Sequence, residues 1–175
     1  MVGSMRGGYF PQYPHHDNLP DPEIRTFITN FYHATDQPGS NELWISYFTP
    51  DAHVVIGGDV GHGEQGKLKA LSSPRSRGLL RRREPEIREL RQRMWTTVRE
   101  RSHTVKKAFP AVFQDPADVQ GNECELMLFG EVNLETTDGK SLVVPWAGHA
   151  VVKKEMEAET KEWKFTRYQV WMQNS

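Results

Sequence analysis

Residues 142–154 read LVVPWAGHAVVKK. The valines mark a strand, but Pro, Trp, Ala, Gly and His interrupt them. A strand packed into a core favours branched side chains at such positions. A strand that lines a hole has a use for a flat wall, a gap and a polar tip. Side chains alternate along a strand, so Trp146 and Gly148 share one face while Ala147 and His149 share the other. A one-residue bulge, which Pro145 invites, would exchange the two faces.

On both sides of this stretch the pattern stays alternating. ECELMLFGEVNLET (123–136) lies upstream across a turn with Asp138-Gly139, a hairpin signal. EWKFTRYQVWMQ (162–173) lies downstream, beyond the charged EMEAETKE, and HTVKKAFPAVFQ (103–114) comes first of all. These are four consecutive strands. Before Arg101 the period is helical. DPEIRTFITNFYHATD (21–36) opens with Asp21 as N-cap and Pro22 in the first turn, and sets Ile24, Phe27, Ile28, Phe31 and Tyr32 on one face. A short helix is expected over about 40–48, a strand at DAHVVIGG (51–58), and a third helix over 84–101. On that last helix Ile87, Leu90, Met94, Trp95 and Val98 make the apolar stripe, and the arginines fill a solvated face. Helices that precede a run of strands indicate an α+β fold with an antiparallel sheet.

The 175 residues are a length for one domain, read as residues 21–175 behind a flexible N-terminal arm at 1–20, with a mobile basic loop at about 67–83. A formal net charge of −1 gives no reason to expect nucleic acid or an acidic membrane as partner. Cys124 is the single cysteine, which excludes an internal disulfide and a cysteine-built metal site. No apolar run is long enough to span a bilayer, so the reading is a cytoplasmic protein. Adjacent His15 and His16 point to opposite faces and lack a third ligand. The glycines of GHGEQG (61–66) do not follow a phosphate-loop spacing. Neither metal nor cofactor is expected.

YFTPDAHVVIGG (47–58), RSHTVKKAF (101–109) and GHAVVKK (148–154) with EWKFTRYQV (162–170), in this order of elements, resemble the nuclear transport factor 2-like superfamily. Its members include SnoaL-like polyketide cyclases, scytalone dehydratase and ketosteroid isomerase. The resemblance implies a cone: a curved antiparallel sheet wrapped around a long helix, with a ligand pocket at the open end. It also implies that His103 points into the cone as acid/base, with Asp36 as its orienting partner. Tyr32, one helical turn earlier, is the candidate hydrogen-bond donor to a carbonyl or leaving hydroxyl. Polar anchors of the enzymatic relatives fall near Ile56, Leu128 and Gly148, all non-polar here, so the pocket is expected to be mainly apolar. Ile56, Leu128, Trp146 and Phe165 are expected in its walls. Gly148 leaves room where relatives carry a polar side chain. His149 faces outward, or joins the ligand site if the strand is bulged.

Three functions follow from these residues. The first is a cofactor-free isomerase, dehydratase or cyclase acting on a hydrophobic, polyketide- or terpenoid-like small molecule. The second is a non-catalytic binder of such a molecule, and the third a protein-interaction module of the nuclear-transport-factor type. The partners expected are a hydrophobic small molecule and a second copy of the chain, docked through the outer sheet face.

Overall fold

The computed structural model describes residues 8–16, 19–63, 86–111, 122–155 and 161–173. Helix α1 (Glu23–Thr35) and the short α2 (Asn41–Ser46) lead into β1 (Phe48–Ile56) and β2 (Asp59–His62); α3 (Ile87–Arg93) follows, then β3 (Val98–Ala111), β4 (Glu123–Thr136), β5 (Ser141–Lys154) and β6 (Trp163–Met172). The fold is α+β, with one curved, unclosed sheet in the order β2-β1-β6-β5-β4-β3.

Strands β3 to β6 form the antiparallel run that the alternation predicts, β4 over the residues expected. Gly139 takes the left-handed conformation, φ +84°, that the turn between β4 and β5 requires. Three features differ from expectation. The third helix ends at Arg93, not near residue 101, and Val98 already pairs with Thr136 in the sheet. The stretch Thr96-Thr97-Val98 is β-branched, which weakens a helix and suits a strand. The Gly57-Gly58 pair is a tight hairpin, Ile56 opposite Asp59 and Gly57 at φ +61°, that carries the chain into β2. The sheet is not wholly antiparallel, because β1 runs parallel to β6, Val54 opposite Tyr168. No hairpin ties those two strands, so nothing local forces opposite directions. The basic loop at 67–83 lies outside the described residues.

Helix α1 lies against the concave face. Ile24, Ile28, Phe31 and Tyr32 are fully buried, and Phe31 meets the rings of Trp44, Tyr47, Phe48, Phe165 and Tyr168. Leu43 on α2 stays half exposed, and Trp44 is the one fully buried side chain of that helix, with Ile45 packed beside the core. Within the expected arm, residues 8–12 lie along the free edge of β3: Val105 N donates to Gly8 O at 2.8 Å, Gln12 N to Lys106 O at 2.9 Å. An edge strand offers unpaired donors and acceptors, and this segment takes them.

The register of β5 settles the parity of the opening stretch. Gly130 through Cys124 pair one for one with Trp146 through Val152, without a bulge. Trp146, Gly148 and Ala150 are buried on the inner face, and Ala147 and His149 look outward. Inside, Gly130 is a close approach: a Cβ there would stand 2.1 Å from Thr104 O and 3.0 Å from the Trp146 ring.

Candidate active site

Asp36 caps the C-terminal end of α1, where the helix carbonyls make a carboxylate unwelcome. It is nonetheless buried, 6 % exposed, and gathers donors from three directions. His103 Nδ1 lies 2.5 Å from Asp36 Oδ1, His103 N donates to Oδ2 at 2.6 Å, and the Tyr9 hydroxyl donates to Oδ2 at 3.0 Å. With Oδ2 already accepting two hydrogen bonds, Asp36 acts as a carboxylate, and it draws the imidazole proton to Nδ1. Nε2 is then the free lone pair of His103. It has no partner among the described residues and is not sealed off.

Arg91 meets the same helix end from α3. It is fully buried, and its guanidinium donates to Thr35 O at 2.8 Å, Ala34 O at 3.2 Å and Gln37 O at 2.6 Å, while Nε reaches Asn41 Oδ1 at 3.2 Å. A cation on the last carbonyls of a helix offsets the partial negative charge there. Burial, and then the nearby Arg101, lowers its pKa to about 10, while Asp36 works in the opposite direction. Arg91 is therefore not part of a solvated arginine face. Its place was visible in the spacing, since 87, 90, 91 and 94 fall on one side of a helix.

A cavity of about 230 Å³ opens beside His103. Aromatic and aliphatic walls come from Phe31, Trp44, Ile56, Val132, Trp146 and Tyr168, and the polar lining includes Thr35, Thr97 and Arg101 beside His103. At the rim Arg93 faces Asp59 at 3.5 Å. The lining is thus less uniformly apolar than the residues at 56, 128 and 148 suggest.

The expected site residues fall into three groups. His103, Ile56 and Trp146 line the cavity, and Asp36 stands behind His103. Tyr32, Leu128, Phe165 and Gly148 do not line it. Leu128 and Phe165 are core residues, 1 % and 0 % exposed. A Cβ on Gly148 would meet the Trp146 ring at 3.5 Å, so the space above that glycine is taken by the neighbouring indole. His149 is separate, on the outer face, with Nε2 2.5 Å from Glu125 Oε1.

Tyr32 acts through a neighbour. Its ring stacks on Trp146, centroids 5.3 Å apart, and its hydroxyl lies 3.0 Å from that of Tyr168. Tyr32 is fully buried with Tyr168 as its one hydroxyl partner among the described residues. Either hydroxyl can donate in this pair; with Tyr32 as donor its buried O–H is satisfied and the Tyr168 hydrogen is left for the cavity side. Burial holds both hydroxyls well above the usual tyrosine range and keeps them neutral. Tyr168, Arg101 and Tyr9 were not singled out from the sequence. Tyr168 and Arg101 sit at inward parities of their strands, a readable signal, whereas Tyr9 lies in a segment without periodicity. His53 and His62 face each other across β1 and β2, ring centroids 4.6 Å apart, and no group of three metal-ligating side chains occurs among the described residues.

No protein-family model and no curated protein matches the chain by sequence. Solved structures match it in fold. A scytalone dehydratase-like protein from Novosphingobium aromaticivorans superposes with a TM-score of 0.59 at 13 % identity, over 86 % of this chain and 82 % of that one. The hexachlorocyclohexane dehydrochlorinase LinA type 2 gives 0.57 at 14 % identity over 90 % of both chains. A nuclear transport factor 2-like superfamily protein from Salmonella enterica gives 0.57 at 16 % identity, over 85 % and 87 %. The fold is that of the nuclear transport factor 2-like and cystatin-like proteins.

Proposed function

We propose that the chain is a cofactor-free enzyme that moves a proton on a small, ring-containing substrate held in the cavity, as an isomerase, dehydratase or cyclase. The observation that carries this reading is the Asp36–His103 pair, set so that Nδ1 is held by the carboxylate and Nε2 is left free at the cavity wall. His103 Nε2 takes the proton from an acidic C–H. The C–H electron pair moves into the substrate, onto a carbonyl oxygen or toward a departing hydroxyl. The imidazolium, stabilised by Asp36, then returns the proton to another carbon or to the leaving oxygen. Tyr168, its own oxygen occupied by Tyr32, supplies a neutral donor for oxygen that gains charge. Two of the structural neighbours bear the names dehydratase and dehydrochlorinase, and loss of water or of hydrogen chloride across two carbons requires the removal of a C–H proton.

Proton removal is measurable before the natural product is known. Phenylpyruvate, a one-ring keto acid, and phenylacetone, its neutral counterpart, are incubated with the protein in D2O, and deuterium entering the benzylic carbon is followed by mass spectrometry. The wild-type protein is expected to speed the exchange of at least one of them, and His103→Ala to return it to the buffer rate. No acceleration by the wild-type protein, or equal acceleration by the variant, rejects the reading.

We also propose that two copies pair through the outer sheet face. Phe109, Met127, Phe129 and Trp171 are each between 37 % and 47 % exposed there, in two adjoining cross-strand rows. A monomer in sedimentation at micromolar concentration overturns this part.

A further inference from the structure

A guanidinium stands among the cavity's apolar walls. Arg101 precedes His103 by two residues on β3, and the two pair with Leu134 and Val132 with no register shift between them. They therefore project from the same face, their Cα atoms roughly 6.5–7 Å apart. Arg101 is fixed in place: Nη2 donates to Met94 O at 2.7 Å, and the group lies 4.9 Å from the centre of the Trp95 ring. Its other N–H donors have no acceptor among the described residues, and no carboxylate there is in ion-pair contact with it.

Among the described residues the charges around the helix end do not balance. Asp36 contributes one carboxylate, while Arg91 and Arg101 contribute two guanidinium groups. Arg91 gives its donors to carbonyls and an amide, which are neutral. Asp36 is engaged by His103 and Tyr9. The rim pair of Arg93 and Asp59 compensates itself. Among the described residues one positive charge facing the cavity is left over, and a cation out of bulk water is costly until an anion meets it. Burial disfavours the charged form of Arg101, and the Asp36 carboxylate opposes that effect from nearby.

We propose that Arg101 is the anion-binding residue of this cavity and that its ligand is a one-ring compound with a single carboxylate, seated on Arg101 so that its acidic C–H lies at His103 Nε2. A planar fork of N–H donors matches the two oxygens of a carboxylate. A single unpaired guanidinium suits one negative charge, not the two of a phosphate ester. The volume, about 230 Å³, is below the roughly 300–1,000 Å³ of pockets for drug-sized ligands, and its aromatic walls suit one flat ring. The placement of the C–H rests on the proton-transfer reading; the binding of the carboxylate does not.

The test uses phenylacetate and its neutral isostere phenylacetamide, titrated into the full-length protein at neutral pH. The indole N–H signals are followed by nuclear magnetic resonance, and His103→Ala, Arg101→Met and Arg101→Lys are compared with wild type. Phenylacetate is expected to bind at least about tenfold more tightly than the amide, the effect of one charge-assisted pair. Arg101→Met lowers the affinity for the acid to that for the amide and leaves the amide unchanged; Arg101→Lys keeps part of the preference. Equal or better binding of the amide overturns the proposal. So does the absence of phenylacetate binding to wild type up to about 10 mM, or an unchanged preference in Arg101→Met. Should Arg101→Met not fold, the wild-type preference and Arg101→Lys decide. Acid binding that persists in His103→Ala, with no deuterium exchange by wild type, sinks the proton-transfer reading alone.

Discussion

Among the described residues stand two histidine–carboxylate pairs of the same length. His103 and Asp36 meet at 2.5 Å on the inner side of the sheet, and His149 and Glu125 meet at 2.5 Å on the outer side. Distance does not distinguish them; surroundings do. The Asp36 side chain is 2 % exposed and Glu125 34 %. Asp36 receives two further hydrogen bonds that fix its orientation, and the ring it holds borders an aromatic cavity. Glu125 holds its histidine on an open face beside Met127. An acid/base group needs a held tautomer, a free second nitrogen and a place for substrate next to it. The inner pair has all three.

The sharpest way to break this comparison is to delete each imidazole. His103→Ala is expected to lower kcat/KM for the exchange reaction by about 10²–10⁴-fold, the range of a general acid/base group. His149→Ala is expected to leave it within about twofold, since it removes nothing that faces the cavity. Comparable losses from the two variants would mean that enclosure is not what matters.

Stability should separate the two carboxylates next. Asp36→Ala strands the His103 ring, the His103 amide and the Tyr9 hydroxyl without an acceptor, at about 1–3 kcal/mol for each buried donor left unpaired. A loss of about 3 kcal/mol or more in urea unfolding is expected. Glu125→Ala breaks a partly solvated pair and should cost about 1 kcal/mol or less. An equal loss at the two positions would show that the hydrogen bonds around Asp36 contribute little.

Much of this arrangement was legible in the residues. The alternation of 123–136 and 141–155 fixed the meander and the inward face of Trp146. RSHTV pointed to His103 through resemblance. Other parts depend on contacts between segments distant in sequence. Tyr9 reaches Asp36 across 27 positions, from an arm with no pattern of its own. Arg91 carried a positional signal, sharing a helix side with Ile87, Leu90 and Met94, but composition masked it: in a run dense with arginines, one that packs against carbonyls looks like those that face water. Gly148 was read as empty space because the sequence does not show that the indole at 146 leans over it.

A pH profile sharpens the inner pair further. Burial first, then the Asp36 charge and its hydrogen bond, raises the Tyr9 hydroxyl to about 12 from the ordinary 10.0. A group whose pKa is higher in the folded state stabilises the fold fully below its unfolded pKa and loses that contribution as pH rises through the folded value. Stability should therefore decline between about pH 10 and 12. Tyr32, Tyr168 and Cys124 add to the same alkaline loss. Tyr9→Phe should cost about 1–2 kcal/mol at neutral pH and flatten this limb, because no proton is left there to lose. Chemical denaturation at several pH values reads both effects. A limb as steep in Tyr9→Phe as in wild type would place the titration elsewhere.

The smallest expected effect is at Gly148, and it contrasts with Gly130, the other glycine that flanks the Trp146 ring. At Gly130 a methyl group would stand 2.1 Å from Thr104 O, so β3 and β4 must part, and Gly130→Ala should destabilise the fold severely. At Gly148 the contacts would be 3.5 Å to Gln169 O and to the Trp146 ring and 3.8 Å to Leu128, all ordinary van der Waals separations. Its φ is not in the left-handed region, so alanine is not strained there. Alanine also restricts the unfolded chain, an effect of about 0.4–1 kcal/mol in favour of the fold. Gly148→Ala should therefore be neutral or stabilising by up to about 1 kcal/mol. Phenylacetate affinity should stay within about twofold, because residue 148 does not border the cavity. A larger drop in affinity with stability unchanged would mean that the indole shifts when ligand binds, and that the glycine serves as the clearance for that movement.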